Sequence, residues 1–189
     1  LKVSLRTLAE QHPGRDEGGQ WTCLQPVDDL GLLYDHARAA LPLFAALLEG
    51  ITDSCTGAAA TDAAGEHGDL PVRLDIGPLK GLYRTYEKMC LSKKGSRRYH
   101  AKHILDMVRA RIWCGSCELM QSVVSTIVEH PRVQIRRVND RVNKPTKLTL
   151  WSDIMLNFTI KDDTNRHVCE VQIVHKKLAG VDKALDKHD

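Results

Sequence analysis

Asp106-Met-Val-Arg-Ala-Arg-Ile-Trp113 and Glu170-Val-Gln-Ile-Val-His175 decide the reading of this chain. In the first stretch Val108, Ala110 and Ile112 alternate with Arg109, Arg111 and Trp113, the period of a strand with one apolar and one polar face. The second carries Glu170 and Gln172 on one side. Each stretch opens on a carboxylate. If the two strands are neighbours, the two acids form a site for a hard divalent cation such as Mg²⁺, which takes carboxylates together with substrate phosphates.

The same change of period places the elements around them. Residues 1–12 show a short helical stripe (Leu1, Leu5, Leu8, Ala9), followed by a loop from Pro13-Gly14 to Gly18-Gly19. Asp28 or Asp29 caps a helix running to about Ile51, where Pro42 predicts a kink. Residues 53–71, rich in Ala, Gly, Thr and Asp, read as a flexible loop. Pro78 reads as the first residue of a second helix, with Leu79, Leu82, Tyr83, Tyr86 and Met89 on its apolar face. Lys80, Arg84 and Lys88 form a basic ridge on it, suited to gripping phosphates. Residues 92–102 are a basic loop.

Ser116 caps a helix from Cys117 to Glu129 that His130-Pro131 ends. Further strands follow at Val133–Val138, Leu150–Ile160 and Arg166–Val174, with a turn at 162–165 and a basic helix from about His175. On the Leu150–Ile160 strand Trp151, Asp153, Met155 and Asn157 share a face, which makes Asp153 a candidate third acid. The expected fold is α/β (α+β): a mixed β-sheet of four to five strands flanked by helices. Residues 1–76 form a helical N-terminal extension and 77–189 the core.

Residues 1–76 hold 5 Lys/Arg against 12 Asp/Glu, a balance of −7, whereas 77–189 hold 22 against 12, a balance of +10. A basic C-terminal part suits a polyanion such as a nucleotide or RNA. No apolar run is long enough to span a membrane, which argues against a membrane function. The chain starts at Leu1 rather than Met, so a larger parent chain is expected. Six scattered cysteines in a chain of this size read as reduced thiols, hence a cytoplasmic or otherwise intracellular setting.

Cys114-Gly-Ser-Cys117, between a strand and a helix, has the form of a redox pair, so thiol–disulfide exchange is one alternative. A zinc site built from His100, His103, Cys114 and Cys117 is another by residue type, although its spacing fits no familiar pattern.

Five segments taken in order carry a resemblance. They are 77–89 with Lys80 and Lys88, 104–112 with Asp106 and Arg111, 137–145, 150–156 with Trp151, and 167–173 with Glu170 and Gln172. Together they resemble the synthetase domain of the RelA/SpoT family, the (p)ppGpp synthetases of the nucleotidyltransferase superfamily, and most of all its eukaryotic-type relatives. The resemblance covers about residues 77–180.

It implies a nucleotidyltransferase-like fold and Mg²⁺-dependent transfer of pyrophosphate from ATP to the 3′-hydroxyl of a GTP- or GDP-like acceptor, or of an RNA 3′ end. It implies that Asp106 holds Mg²⁺ and that Glu170 acts on the attacking hydroxyl or assists the metal. Lys80 and Lys88 would grip ATP phosphates, Arg111 would shape the site beside Gln172, and Trp151 would stack on the acceptor base. Where the bacterial synthetases carry Arg, Gly, Ser, His and Arg, this chain has Pro78, Leu150, Asp153, Met155 and Val174. Most of these departures fall on the base-reading side, so an altered acceptor is expected. A nucleotide- or RNA-binding module of the same fold with weak catalysis is the further alternative.

Overall fold

A computed structural model describes residues 4–14, 17, 22–60, 71–91, 99–142 and 152–177, without the side chains of 57–60. Among the described residues four α-helices, α1 (Leu5–Gln11), α2 (Leu30–Ala60), α3 (Leu82–Cys90) and α4 (Cys117–Glu129), accompany five strands. The strands are β1 (Val72–Ile76), β2 (Arg109–Cys114), β3 (Val133–Asp140), β4 (Asp153–Ile160) and β5 (Cys169–His175). The sheet order is β1-β2-β5-β4-β3. Only β2 and β5 run parallel among these pairs. The expected mixed sheet flanked by helices is what forms.

The alternation of each strand sorts the sheet into two faces. Ala110, Ile112 and Cys114 of β2 are buried, as are Val171 and Ile173 of β5 and Ile154, Leu156 and Phe158 of β4. This face packs against α2 and α4: Phe158 stacks on Phe44 at 5.8 Å, and Met120, Val123, Val124 and Ile127 join the same core. Each of these large side chains contributes about 1.5–3 kcal/mol by leaving water. The opposite face carries Arg109, Arg111, Glu170, Gln172 and Asn157, set side by side by the register Arg109↔Glu170, Arg111↔Gln172 and Asn157↔Glu170.

Local signals explain the helix ends. Asp29 accepts the Leu32 N–H at 2.8 Å and caps α2, while Ser116 accepts the Leu119 N–H at 3.3 Å and caps α4. Asp28 turns instead to His100 and Lys102. α2 runs through Pro42 as one helix. Its packing through Ala40, Phe44, Leu47 and Leu48 offsets the missing N–H.

Five expectations need correction. The loop read at 53–71 is helical as far as Ala60. Thr52, Ser54 and Thr56 satisfy their hydroxyls on carbonyls four residues back, so polar residues remain compatible with the helix there. Residues 61–70 lie outside the described residues. Val72–Ile76, inside the stretch read as extension, is a strand paired antiparallel to β2; its Val-Arg-Leu-Asp-Ile alternation is short and follows a low-information run.

α3 begins at Leu82 rather than Pro78, because the Gly77 and Lys80 amides donate to the carbonyls of Arg109 and Met107 instead of entering a helix. Its buried side is Thr85 and Met89, and Leu82, Tyr83 and Tyr86 face solvent. Finally, β4 starts at Asp153. Trp151 and the 143–151 loop lie outside the described residues, as does most of the helix expected after His175, of which 176–177 are helical.

Candidate functional site

Asp106 lies three residues ahead of β2, where the chain leaves a 3-10 turn (Ala101–His103). Two lysines reach it from the α3 segment. Lys80 Nζ donates to Oδ2 at 2.7 Å and Lys88 Nζ donates to Oδ1 at 2.8 Å. The backbone bond from Lys80 N–H to Met107 O, at 3.2 Å, is why this lysine arrives from one side of the acid while Lys88 arrives from the helix. Lys80 is 11% exposed and Lys88 48%, so Lys80 is committed to the cleft floor and Lys88 stays at its rim. Burial alone would push the Asp106 pKa up. The Lys88 charge and the hydrogen bonds from both lysines outweigh it and hold the carboxyl below the ordinary range.

Glu170 sits beside this triad. Its N–H donates to Val108 O at 2.9 Å, which ties the start of β5 to the approach to β2. Burial, and next the Asp106 charge, lift its pKa above the ordinary range, although Lys88, Asn157 and Arg137 pull partly the other way. Asn157 is fully buried and near enough to act on Glu170, yet neither of its amide atoms completes a well-formed hydrogen bond.

A row of side chains continues along the polar face. Gln172 Nε2 donates to Glu170 Oε1 at 3.4 Å, and Arg111 Nη2 donates to Gln172 Oε1 at 3.1 Å. The Arg111 guanidinium lies 5.1 Å from the Trp113 ring, and Trp113 Nε1 donates to Asp75. Two clefts open here. One, about 510 Å³, is lined by Lys80, Arg84, Glu87, Lys88, Leu91 and Asp106. The other, about 210 Å³, lies over Glu170, Gln172, Arg109 and Arg111 and is bounded by Gly77, where a Cβ would come 3.3 Å from Arg109 Cγ. A hollow of about 760 Å³ between α1 and β3 is larger, but its chemistry is an Arg6–Glu10 pair rather than converging lysines.

Lys80, Lys88, Asp106, Glu170, Arg111 and Gln172 therefore meet on one side of the sheet. Asp153 does not join them: it is fully buried and both its oxygens accept from Arg141 at 2.5 Å. Trp151 lies outside the described residues. Asp75, Arg109, Trp113 and Asn157 belong to the polar face and were not singled out as site residues. Strand alternation could have found the middle two, whereas Asp75 needed the missed β1.

The donor set fits Mg²⁺. Two carboxylates repel each other across one site, and that repulsion helps raise the Glu170 pKa. Such an ion takes one or two protein carboxylates and completes its shell with phosphates and water. Among the described residues no group of three or more His, Cys, Asp and Glu side chains could hold a metal alone, which leaves out the zinc alternative there. Cys114 is buried and its thiol is pushed up to about 12 by burial and then by Cys55, so it stays protonated at neutral pH. Cys117 is exposed and unbridged.

No protein-family model matches the chain, and no curated protein matches it. Solved structures do. Small alarmone synthetase 2 from Bacillus subtilis superimposes with a TM-score of 0.58 at 19% identity, covering 85% of this chain and 79% of that one. Small alarmone synthetase 1 from the same organism, bound to its product pppGpp, gives 0.60 at 15% identity, covering 80% and 78%. A GTP pyrophosphokinase family protein from Streptococcus pneumoniae gives 0.53 at 14%, covering 80% and 73%. A further structure of synthetase 1 contains AMPCPP. Among the described residues no helix is long and apolar enough to cross a membrane. The chain has the fold of the small alarmone synthetases and GTP pyrophosphokinase family proteins.

Proposed function

We propose that this protein transfers pyrophosphate from ATP to the 3′-hydroxyl of a nucleotide, in the manner of a (p)ppGpp synthetase, with Mg²⁺ held by Asp106 and Glu170. The observation that carries the reading is the convergence of Lys80 and Lys88 on Asp106 beside Glu170. Phosphoryl transfer asks little covalent chemistry of a protein and much positioning and charge. The ion, when bound, would neutralise charge on the transferring phosphates.

The chain's own groups account for the rest. Lys88, at the rim, can turn from Asp106 to a phosphate, and Arg84 lines the same cleft. Glu170 either assists the ion or takes the proton of the attacking hydroxyl, and the pKa that burial and Asp106 raise in the ion-free chain suits the second role. The acceptor oxygen then bonds to the β-phosphorus, the bond from that phosphorus to the α–β bridging oxygen breaks, and AMP leaves. Arg109 and Arg111 on the adjoining cleft provide positive charge for an acceptor bearing phosphates. The acceptor is a GTP- or GDP-like nucleotide or an RNA 3′ end. Trp151, by its place in the chain, is the proposed stacking group for its base.

Incubation with labelled ATP, Mg²⁺ and each acceptor tests the reading. AMP should appear only with an acceptor, and a label on the γ-phosphate of ATP should move onto that acceptor. ATP binding without AMP release under any condition would favour a binding module instead.

A further inference from the structure

Gln25 lies between α1 and α2, 4% exposed. Its side-chain Nε2 donates to Ile104 O at 3.0 Å and to Val168 O at 2.9 Å, and its Oε1 accepts the Val168 N–H at 2.9 Å. Its own backbone N–H donates to Lys102 O at 2.8 Å. Ile104 stands two residues before Asp106, and Val168 two residues before Glu170. One side chain thus grips both approaches to the carboxylates, at positions that precede the first residues of β2 and β5.

The chemistry is particular to an amide. It supplies two donors and an acceptor at once, which no lysine, carboxylate or methionine side chain can do. The surroundings strengthen it. Cys23, Leu105 and Val168 form a small buried apolar cluster beside it, and hydrogen bonds sheltered from water are costly to break. Further along the same segment, Asp28 pairs with His100 at 2.7 Å and Lys102 at 3.2 Å, which anchors the strap over residues 100–105.

We propose that Gln25 is a positioning residue: acting through the backbone at Ile104 and Val168, it fixes the spacing between Asp106 and Glu170. Its catalytic consequence rests on the function proposed above, whereas its effect on the two backbone segments does not.

The test uses Gln25→Met in the full chain. Native-state amide exchange should quicken about tenfold or more at Val168, Glu170 and 105–108, while amides of α4 and β3 change by less than about twofold. In the AMP-release assay kcat should fall about tenfold or more with the KM for ATP within about twofold, since a small misplacement of reacting groups is costly. Thr52→Ala, which loses a hydroxyl bond within α2, serves as a control for general destabilisation and should leave kcat unchanged.

Unchanged exchange, or a rise shared by every element, overturns the proposal, and so does local quickening with kcat intact. If Gln25→Met fails to fold, Gln25→Glu keeps the acceptor for Val168 N–H while removing the donors to Ile104 O and Val168 O, and the same readings apply. Failure of both to fold assigns Gln25 to the general core and also overturns it. Wild-type protein that releases no AMP defeats the proposed reaction, while the exchange measurement still decides the role of Gln25.

Discussion

The two faces of the sheet are built from the same strands on alternate residues, and they differ in how their groups are satisfied. On the α2/α4 side, Ala110, Ile112, Val171, Ile173, Leu156 and Phe158 are buried among apolar neighbours. On the other side, Asp106 is crowded by two cations, Glu170 is lifted in pKa by burial and by Asp106, and Asn157 is buried without a completed hydrogen bond. A face that served stability alone would not keep the last two, because a buried carboxyl beside a like charge and a buried amide without its partner each cost free energy. Strain of this kind concentrates where a ligand completes the site.

The contrast can be broken first on the apolar side. Phe158→Ala removes the ring stacked on Phe44 and should cost about 3–5 kcal/mol in urea unfolding. A loss below about 1 kcal/mol would mean that this face is not the core. Arg141→Ala comes next, at about 3 kcal/mol or more, because it leaves Asp153 buried without its partner. That result would sharpen the boundary of the site, by showing that the β3–β4 end of the polar face serves stability rather than chemistry. If Arg141→Ala instead leaves stability unchanged, Asp153 is not held as described.

The third test uses pH. His167 is fully buried with both ring nitrogens unpartnered, and its pKa is lowered to about 4, chiefly by burial. The unfolded chain takes up this proton near pH 6.5 and the native chain resists it. Stability contributed by neutral His167 is therefore whole above about pH 6.5 and is lost as pH falls towards about 4, in total roughly 3 kcal/mol. His167→Gln should flatten that part of the stability–pH curve, and an unaltered curve would count against it. The smallest effect expected is that of Lys88→Ala, which should raise the KM for ATP about tenfold with little change in unfolding midpoint, in keeping with its place at the rim.

Much of this was legible in the sequence, and the reasons for the remainder are physical. β2 and β5 declared themselves by alternation, and α4 by its Ser116 cap and the His130-Pro131 stop. Lys80 and Lys88 were found together for a partly mistaken reason. They do not share a helix ridge, because Lys80 precedes α3, yet both reach Asp106. Pro78 suggested a helix start that backbone bonds to Met107 and Arg109 override. The apolar residues of α3 misled, since Leu82, Tyr83 and Tyr86 are exposed. Gln25 was out of reach: its partners lie 79 and 143 positions away, and no local pattern encodes such a bond. Asp153 shows the converse, a carboxylate placed by alternation on the polar face whose charge is consumed by Arg141.

The central claim is that Asp106 and Glu170 are the working acids of an ATP-dependent transfer. The most direct measurement is Mg²⁺-dependent AMP release from labelled ATP with a nucleotide 3′-hydroxyl acceptor, comparing wild type with Asp106→Asn and Glu170→Gln, each shown to be folded by circular dichroism. The account predicts turnover in the wild type and a loss of about a hundredfold or more in each variant. Turnover that survives in either folded variant within about threefold of the wild type would contradict it.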